Sequence, residues 1–283
     1  MPKLGFNLLN WTASVTEEHY PHIERLKAIG YDGIEIYNGN ADTAAYTHLG
    51  AHLKEIGMDI TNVTTLDAEA NPVSPNASVR SKALDKIKWN IDRCADCGSN
   101  ILAGPLHSAF ATFTRSNIEE DEYKRSAEVL YSAAEYSKQA NVILCPEALN
   151  RFECYLCNTM EQLVKLVELT GHSHVKGMFD THHANIEEKS LPDAIKTIAP
   201  HLAHVHLSEN DRGAPGSGHI DFLETIKTLK SVGYDGWMTI EAFSRADPDF
   251  ANAINVWREF SLAWDIAESG YAHLSKCISA AGH

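Results

Sequence analysis

Four polar side chains close four successive β-prone runs: Leu144-Cys145-Pro146-Glu147, Met178-Phe179-Asp180, His204-Val205-His206 and Thr239-Ile240-Glu241. The steps between Glu147, Asp180, His206 and Glu241 are 33, 26 and 35 residues, each close to one strand-plus-helix unit. If the runs are parallel strands of one sheet, their carboxyl ends gather these groups in one place. His204 and His206 share a strand face, and His206, nearer the strand end, is the expected donor, with His204 a hydrogen-bonded interior histidine. Two Glu, one Asp and one His form a hard oxygen-plus-imidazole set suited to Mn²⁺, Mg²⁺ or Co²⁺, with Zn²⁺ feasible and Cu(I) a poor match. A single acidic strand end usually caps a helix or meets solvent. Four in register are a different matter, because three carboxylates crowded together repel one another unless a cation sits among them.

Such positioning demands a regular scaffold. Eight β-prone runs occur at 4–9, 33–36, 59–64, 100–103, 142–147, 175–180, 202–207 and 237–241. Helical patterns alternate with them at 16–29, 44–56, 78–97, 119–139, 159–170, 191–198, 222–232 and 251–267. Parallel strands need crossover helices and a closed ring leaves no exposed edge, so the expected fold is an α/β (β/α)₈ TIM barrel, a single domain over residues 1–283. An internal echo supports repeated units: Leu26-Lys27-Ala28-Ile29-Gly30-Tyr31-Asp32-Gly33 and Leu229-Lys230-Ser231-Val232-Gly233-Tyr234-Asp235-Gly236 both lead into a strand. No G-x-G-x-x-G follows the first strand, which weakens a dinucleotide-binding open sheet.

Composition narrows the partners. The formal charge of −14 repels polyanions, which argues against general nucleic-acid or anionic-membrane binding and favours a neutral small substrate. The start of the sequence lacks the basic and apolar blocks of an export signal, so a cytoplasmic location and reduced thiols are expected for the six cysteines. The pairs Cys94/Cys97 and Cys154/Cys157 lie too far apart for a zinc ribbon.

Three segments carry a likeness: Asn150-Arg151-Phe152-Glu153, Asp180-Thr181-His182-His183-Ala184-Asn185-Ile186-Glu187-Glu188, and His206-Leu207-Ser208-Glu209-Asn210-Asp211-Arg212. Ser74-Pro75, Ser78-Val79-Arg80 and the stretch from Gly236 to Glu241 extend it along nearly the whole chain. They resemble the sugar isomerase/epimerase superfamily of xylose-isomerase-like barrels, nearest its D-tagatose 3-epimerase and D-psicose (D-allulose) 3-epimerase branch. The resemblance implies that Glu147, Asp180, His206 and Glu241 hold a divalent metal, Mn²⁺ first, with Co²⁺ or Mg²⁺ as alternatives. It implies that Glu147 and Glu241 are the catalytic acid/base pair, that Glu153, His183 and Arg212 contact substrate oxygens, and that the chain is a homo-oligomer, dimer or tetramer. Three departures bear on substrate identity: His182 stands where Phe is usual, Ala242 where Pro is common, and Ser244-Arg245-Ala246-Asp247 follows no epimerase pattern.

The chemistry fits the residues. Inverting a carbinol carbon beside a ketone means removing a weakly acidic carbon-bound proton and stabilising the enediolate, a task for a Lewis-acidic cation. Fixed donors such as His183 and Arg212 add to that stabilisation. Two glutamates on opposite sugar faces invert C3; a single base on one face favours aldose–ketose isomerisation instead. The expected function is therefore a metal-dependent ketose 3-epimerase. Its rivals are a lyase or deglycosidase acting on a 3-oxo sugar or glycoside, a related isomerase or dehydratase, a metal-dependent DNA-repair nuclease, which the charge opposes, and a binding-only protein. Arg212 could instead pair with Asp211 or Asp221 at the surface; Trp11, Phe6, His107, Phe110 and Phe113 are candidates for an apolar wall; Gly213–Gly218 reads as a mobile loop.

Overall fold

The structure is a computed structural model and describes residues 2–282. Eight strands, β1 Lys3–Asn7, β2 Gly33–Tyr37, β3 Asp59–Val63, β4 Ile101–Gly104, β5 Ile143–Pro146, β6 Gly177–Asp180, β7 Leu202–Leu207 and β8 Trp237–Ile240, form one parallel sheet in the order β5-β4-β3-β2-β1-β8-β7-β6. Two bridges, Leu144 to Val175 and Glu147 to Met178, join its ends and bring the ring close to closure. This is the (β/α)₈ barrel.

Helices α1 Tyr20–Ile29, α2 Thr43–Ile56, α3 Ala77–Cys97, α4 Glu120–Ala140 and α5 Met160–Thr170 surround the first part of the ring. They start where side chains can satisfy free backbone N–H groups: Asp42 accepts from Ala44 N, Asn76 from Ser78 N and Thr159 from Gln162 N. Beyond β6 come α6 Thr181–Glu187, α7 Leu191–Ile198, α8 Phe222–Ser231, α9 Pro248–Ala253 and α10 Ala263–Ala280. The internal echo is a repeated helix stop: Tyr31 N donates to Leu26 O and Tyr234 N to Leu229 O. Gly30 and Gly233 take φ of +122° and +79° at these stops, where a side chain would be strained.

Strand parity builds two cores. Leu4, Phe6, Ile34, Ile36, Leu102, Leu144, Phe179, Val205, Met238 and Ile240 face outward and pack under the helices. Val63, Ile101, Ala103, Cys145, Met178 and Trp237 form a smaller cluster inside the ring. Because side chains alternate with period two, the inward series of β5, β6 and β8 runs on to Glu147, Asp180 and Glu241.

Two expectations fail here. The helix expected over 251–267 is two helices, α9 and α10, separated by residues 254–262. Asn255 adopts a left-handed φ of +63° that stops the first, and the second continues to Ala280 because Ile266, Ala267, Gly270, Leu274, Cys277 and Ile278 keep burying one face. The glycine-rich stretch 213–218 is tied down: the fully buried Glu209 carboxylate accepts from the backbone N–H groups of Gly216 at 2.9 Å and Ile220 at 3.0 Å. All six cysteines are buried free thiols. Among the described residues no helix is long and apolar enough to cross a membrane.

Candidate active site

At the C-terminal mouth of the ring, Glu147, Asp180, His206 and Glu241 each bring one donor atom within 4.8 Å of the others'. Each is set by its own local structure. Asp180 Oδ1 accepts from the His182 backbone N–H at 2.6 Å, capping α6, which turns Oδ2 inward to 3.6 Å from His206 Nδ1. Glu241 Oε2 lies 3.3 Å from the same nitrogen. Glu147 follows β5, its N–H donating to Gly104 O at 2.9 Å and its carbonyl lying 2.7 Å from His107 Nε2.

Behind this quartet stands a group that the sequence reading missed. Glu35, fully buried on β2, places Oε1 2.7 Å from His206 Nε2 and Oε2 2.7 Å from His204 Nε2. Asn7 Nδ2 and Thr61 Oγ1 each donate to Glu35 at 2.9 Å. Burial pushes this carboxyl up, but the two imidazoles outweigh it and hold Glu35 well below the usual carboxylate range. With Nε2 facing a carboxylate, His206 turns Nδ1 toward Asp180 and Glu241, the arrangement that orients a metal-binding imidazole. A carboxylate in the middle of the apolar strand Gly-Ile-Glu-Ile-Tyr was the available signal, since such a charge needs a partner. His204 is the interior histidine its position implied.

The residues fit a divalent cation. Glu147 Oε1 and His206 Nδ1 are buried and have no hydrogen-bond partner among the described residues. Burial, then the charges of Glu241 and Asp180, push the Glu147 carboxyl up. Burial disfavours a charged His206, yet Glu35 and Glu241 hold its pKa well above the ordinary value. A cation with four hard donors would relieve both conflicts.

Arg212 already contributes positive charge. Its Nη1 donates to Asp180 Oδ2 at 2.9 Å, Glu241 Oε2 at 2.7 Å and Ser208 Oγ at 2.9 Å, and Nη2 lies 2.9 Å from His183 Nε2. The alternative pairing with Asp211 or Asp221 is therefore not the one adopted. His183 Nδ1 accepts from the Asn150 N–H at 3.1 Å, and Asn150 Nδ2 donates to Glu153 Oε1 at 2.9 Å. The three expected substrate residues thus adjoin the quartet through Asn150 and Arg212.

A cavity of about 520 Å³ opens above, lined on its polar side by Glu147, Glu153, His182, His183, Arg212 and Glu241. Asp180 and His206 lie beneath it, fully buried. Of the aromatics proposed for its apolar wall, only Phe110 is in place. Phe6 and Trp11 pack instead on each other, with ring centroids 5.2 Å apart, and His107 is buried behind Glu147. The wall comes largely from the β8–α10 connection through Phe243, Phe250, Val256 and Phe260. Ser244 pins that connection by donating to Asn10 O at 2.7 Å, and Arg245 donates to Val256 O.

Residues 23–260 match the family described as xylose isomerase-like TIM barrel. The chain belongs to that family. Among curated relatives, it is 30% identical to the D-psicose 3-epimerase of Ruminiclostridium cellulolyticum, over 92% of this chain and 90% of that protein. It is also 30% identical to the D-psicose 3-epimerase of Agrobacterium fabrum, over 94% and 93%. A solved structure of an L-ribulose 3-epimerase superposes with a TM-score of 0.94 at 26% identity, covering all of this chain and 96% of the other.

Proposed function

We propose that this family member is a metal-dependent ketose 3-epimerase of the D-tagatose/D-psicose type, acting on a free ketose. The observation that carries the reading is that Glu147 and Glu241 share one cavity although they enter it from β5 and β8, with β6 and β7 between them in the ring. Two carboxylates reaching a sugar from different sides can remove a proton from one face of C3 and return one to the other. The named epimerase relatives support the same reaction class.

Each side chain then has a task. One glutamate takes the C3 proton; the other, held in its acid form, delivers a proton to the opposite face. The Arg212 guanidinium, with His183 beside it, aims donors at the oxygen that gains charge as the enediolate forms. Glu153 accepts from a sugar hydroxyl. The apolar wall excludes water from the planar intermediate. Glu147, Asp180, His206 and Glu241 would hold Mn²⁺, or Co²⁺ or Mg²⁺, and a bound ion would supply Lewis acidity toward the substrate's carbonyl and neighbouring hydroxyl oxygens. The chain acts as one barrel domain, in a cytoplasmic homo-oligomer.

Incubation with D-tagatose or D-fructose in D₂O with Mn²⁺ tests this. Deuterium at C3 together with the C3 epimer is expected; exchange that yields only an aldose, or no exchange with any ketose, overturns it. The cavity's size and apolar wall favour one second reading, elimination from a 3-oxo glycoside, in which the leaving group occupies the wall; release of an aglycone from such a substrate would select it.

A further inference from the structure

Beside the quartet is another convergence: Glu153, His182 and His183 bring one donor atom each within 4.8 Å of one another. The composition is that of a metal triad, but the hydrogen bonds oppose that use. Both ring nitrogens of His183 face protein donors, Nδ1 the Asn150 backbone N–H at 3.1 Å and Nε2 the Arg212 guanidinium at 2.9 Å. Neither nitrogen is therefore free for a cation.

His182 is held differently. Its Nδ1 lies 3.1 Å from Asn210 O and 3.3 Å from Glu209 O. Carbonyls only accept, so Nδ1 carries the hydrogen and Nε2 keeps the lone pair. The carbonyls are themselves fixed, because the buried Glu209 carboxylate anchors the 213–218 loop on one side and Thr181 Oγ1 donates to Ser208 O at 2.6 Å on the other. The half-buried ring lines the cavity, and Nε2 has no hydrogen bond among the described residues. The polar side therefore has two characters. Arg212 presents donors, which suit a carbonyl oxygen; His182 presents an acceptor, which suits a hydroxyl.

We propose that His182 is a specificity-determining residue that accepts a hydrogen bond, through Nε2, from one hydroxyl of the bound ketose outside the O2–O3 pair. A Phe in its place would cover the same area but could accept nothing. The inference rests on the ketose reading for the identity of the ligand.

The test compares wild type, His182→Phe and His182→Gln on D-tagatose and on the monodeoxy ketohexoses lacking O1, O4, O5 or O6, all with Mn²⁺. Expected is a roughly tenfold rise in KM for D-tagatose in His182→Phe with kcat little changed, partial recovery in His182→Gln, and no effect of either substitution on the one analogue that lacks the contacted hydroxyl. An equal loss on every sugar, or no loss on any, overturns the proposal. Melting temperatures check that the variants fold. Calorimetric binding of the same sugars separates the two readings: if wild type turns over none of them but binds them with this pattern, the epimerase reading falls and the His182 contact stands. If wild type binds none, both fall.

Discussion

The two halves of the ring do different work. Strands β5 to β8 supply all four members of the quartet, Glu147, Asp180, His206 and Glu241, as residues at or next to their strand ends. Strands β1 to β3 supply Asn7, Glu35 and Thr61: Asn7 and Thr61 donate to Glu35, and Glu35 meets the two histidines. On the proposed reading one half carries the reactive groups, and the other fixes the direction in which one of them points. The difference teaches that a buried ionisable residue can matter here without facing the cavity, since Glu35 acts only through His206 and His204.

Substitutions on the two sides should separate these tasks. The largest effect is expected on the reactive side: Glu147→Gln and Glu241→Gln keep the shape of the cavity but cannot exchange a proton, so kcat should fall by about 10²–10⁴-fold in a coupled or polarimetric epimerase assay. Near-normal turnover in either variant would remove it from the acid/base pair. Removal of metal by a chelator should abolish activity, and added Mn²⁺ or Co²⁺ should restore it; full activity in a preparation shown to be metal-free would refute the role of the quartet.

On the supporting side, Glu35→Gln should weaken Mn²⁺ affinity by about 10–100-fold, measured by calorimetry, because His206 loses the carboxylate that orients it. An unchanged affinity would mean that strand packing alone aims the ring. Thr61→Val removes one hydroxyl from Glu35 while keeping the side chain's shape; a stability loss of about 1–3 kcal/mol in denaturant unfolding is expected from the charge-assisted hydrogen bond, with kcat nearly unchanged. Phe250→Ala, on the apolar wall, should act least on the quartet, changing KM a few-fold and leaving metal affinity alone; a large drop in affinity would show that the wall and the metal site are one unit.

Much of the site was legible because its signal is periodic. Glu147, Asp180, His206 and Glu241 recur at strand ends about one βα unit apart, and the motifs holding Glu153, His183 and Arg212 are compact enough to recognise. The apolar wall was less legible. Aromatics are common in cores, and nothing in the sequence separates Phe6 and Trp11, which pack behind the ring, from Phe243 and Phe250, which packing puts at its mouth. The 251–267 helix failed because apolar spacing continues across the break at Asn255, where a left-handed residue rather than a Gly or Pro ends the turn.

The sequence alone determined what repeats or alternates: eight strand–helix units, the inward parity of the strand ends, the hard character of the donors, and a negative charge that disfavours nucleic acid. Tertiary structure decided what depends on pairs distant in the chain. Glu35 meets His204 across 169 residues, and Asn7 reaches Glu241 across 234. It decided too that Arg212 turns to Asp180 and Glu241 rather than to Asp211 beside it. The physical reason is that alternation and spacing are properties of a single strand or unit, whereas a buried charge finds its partner only after the ring has closed and water has been excluded from it.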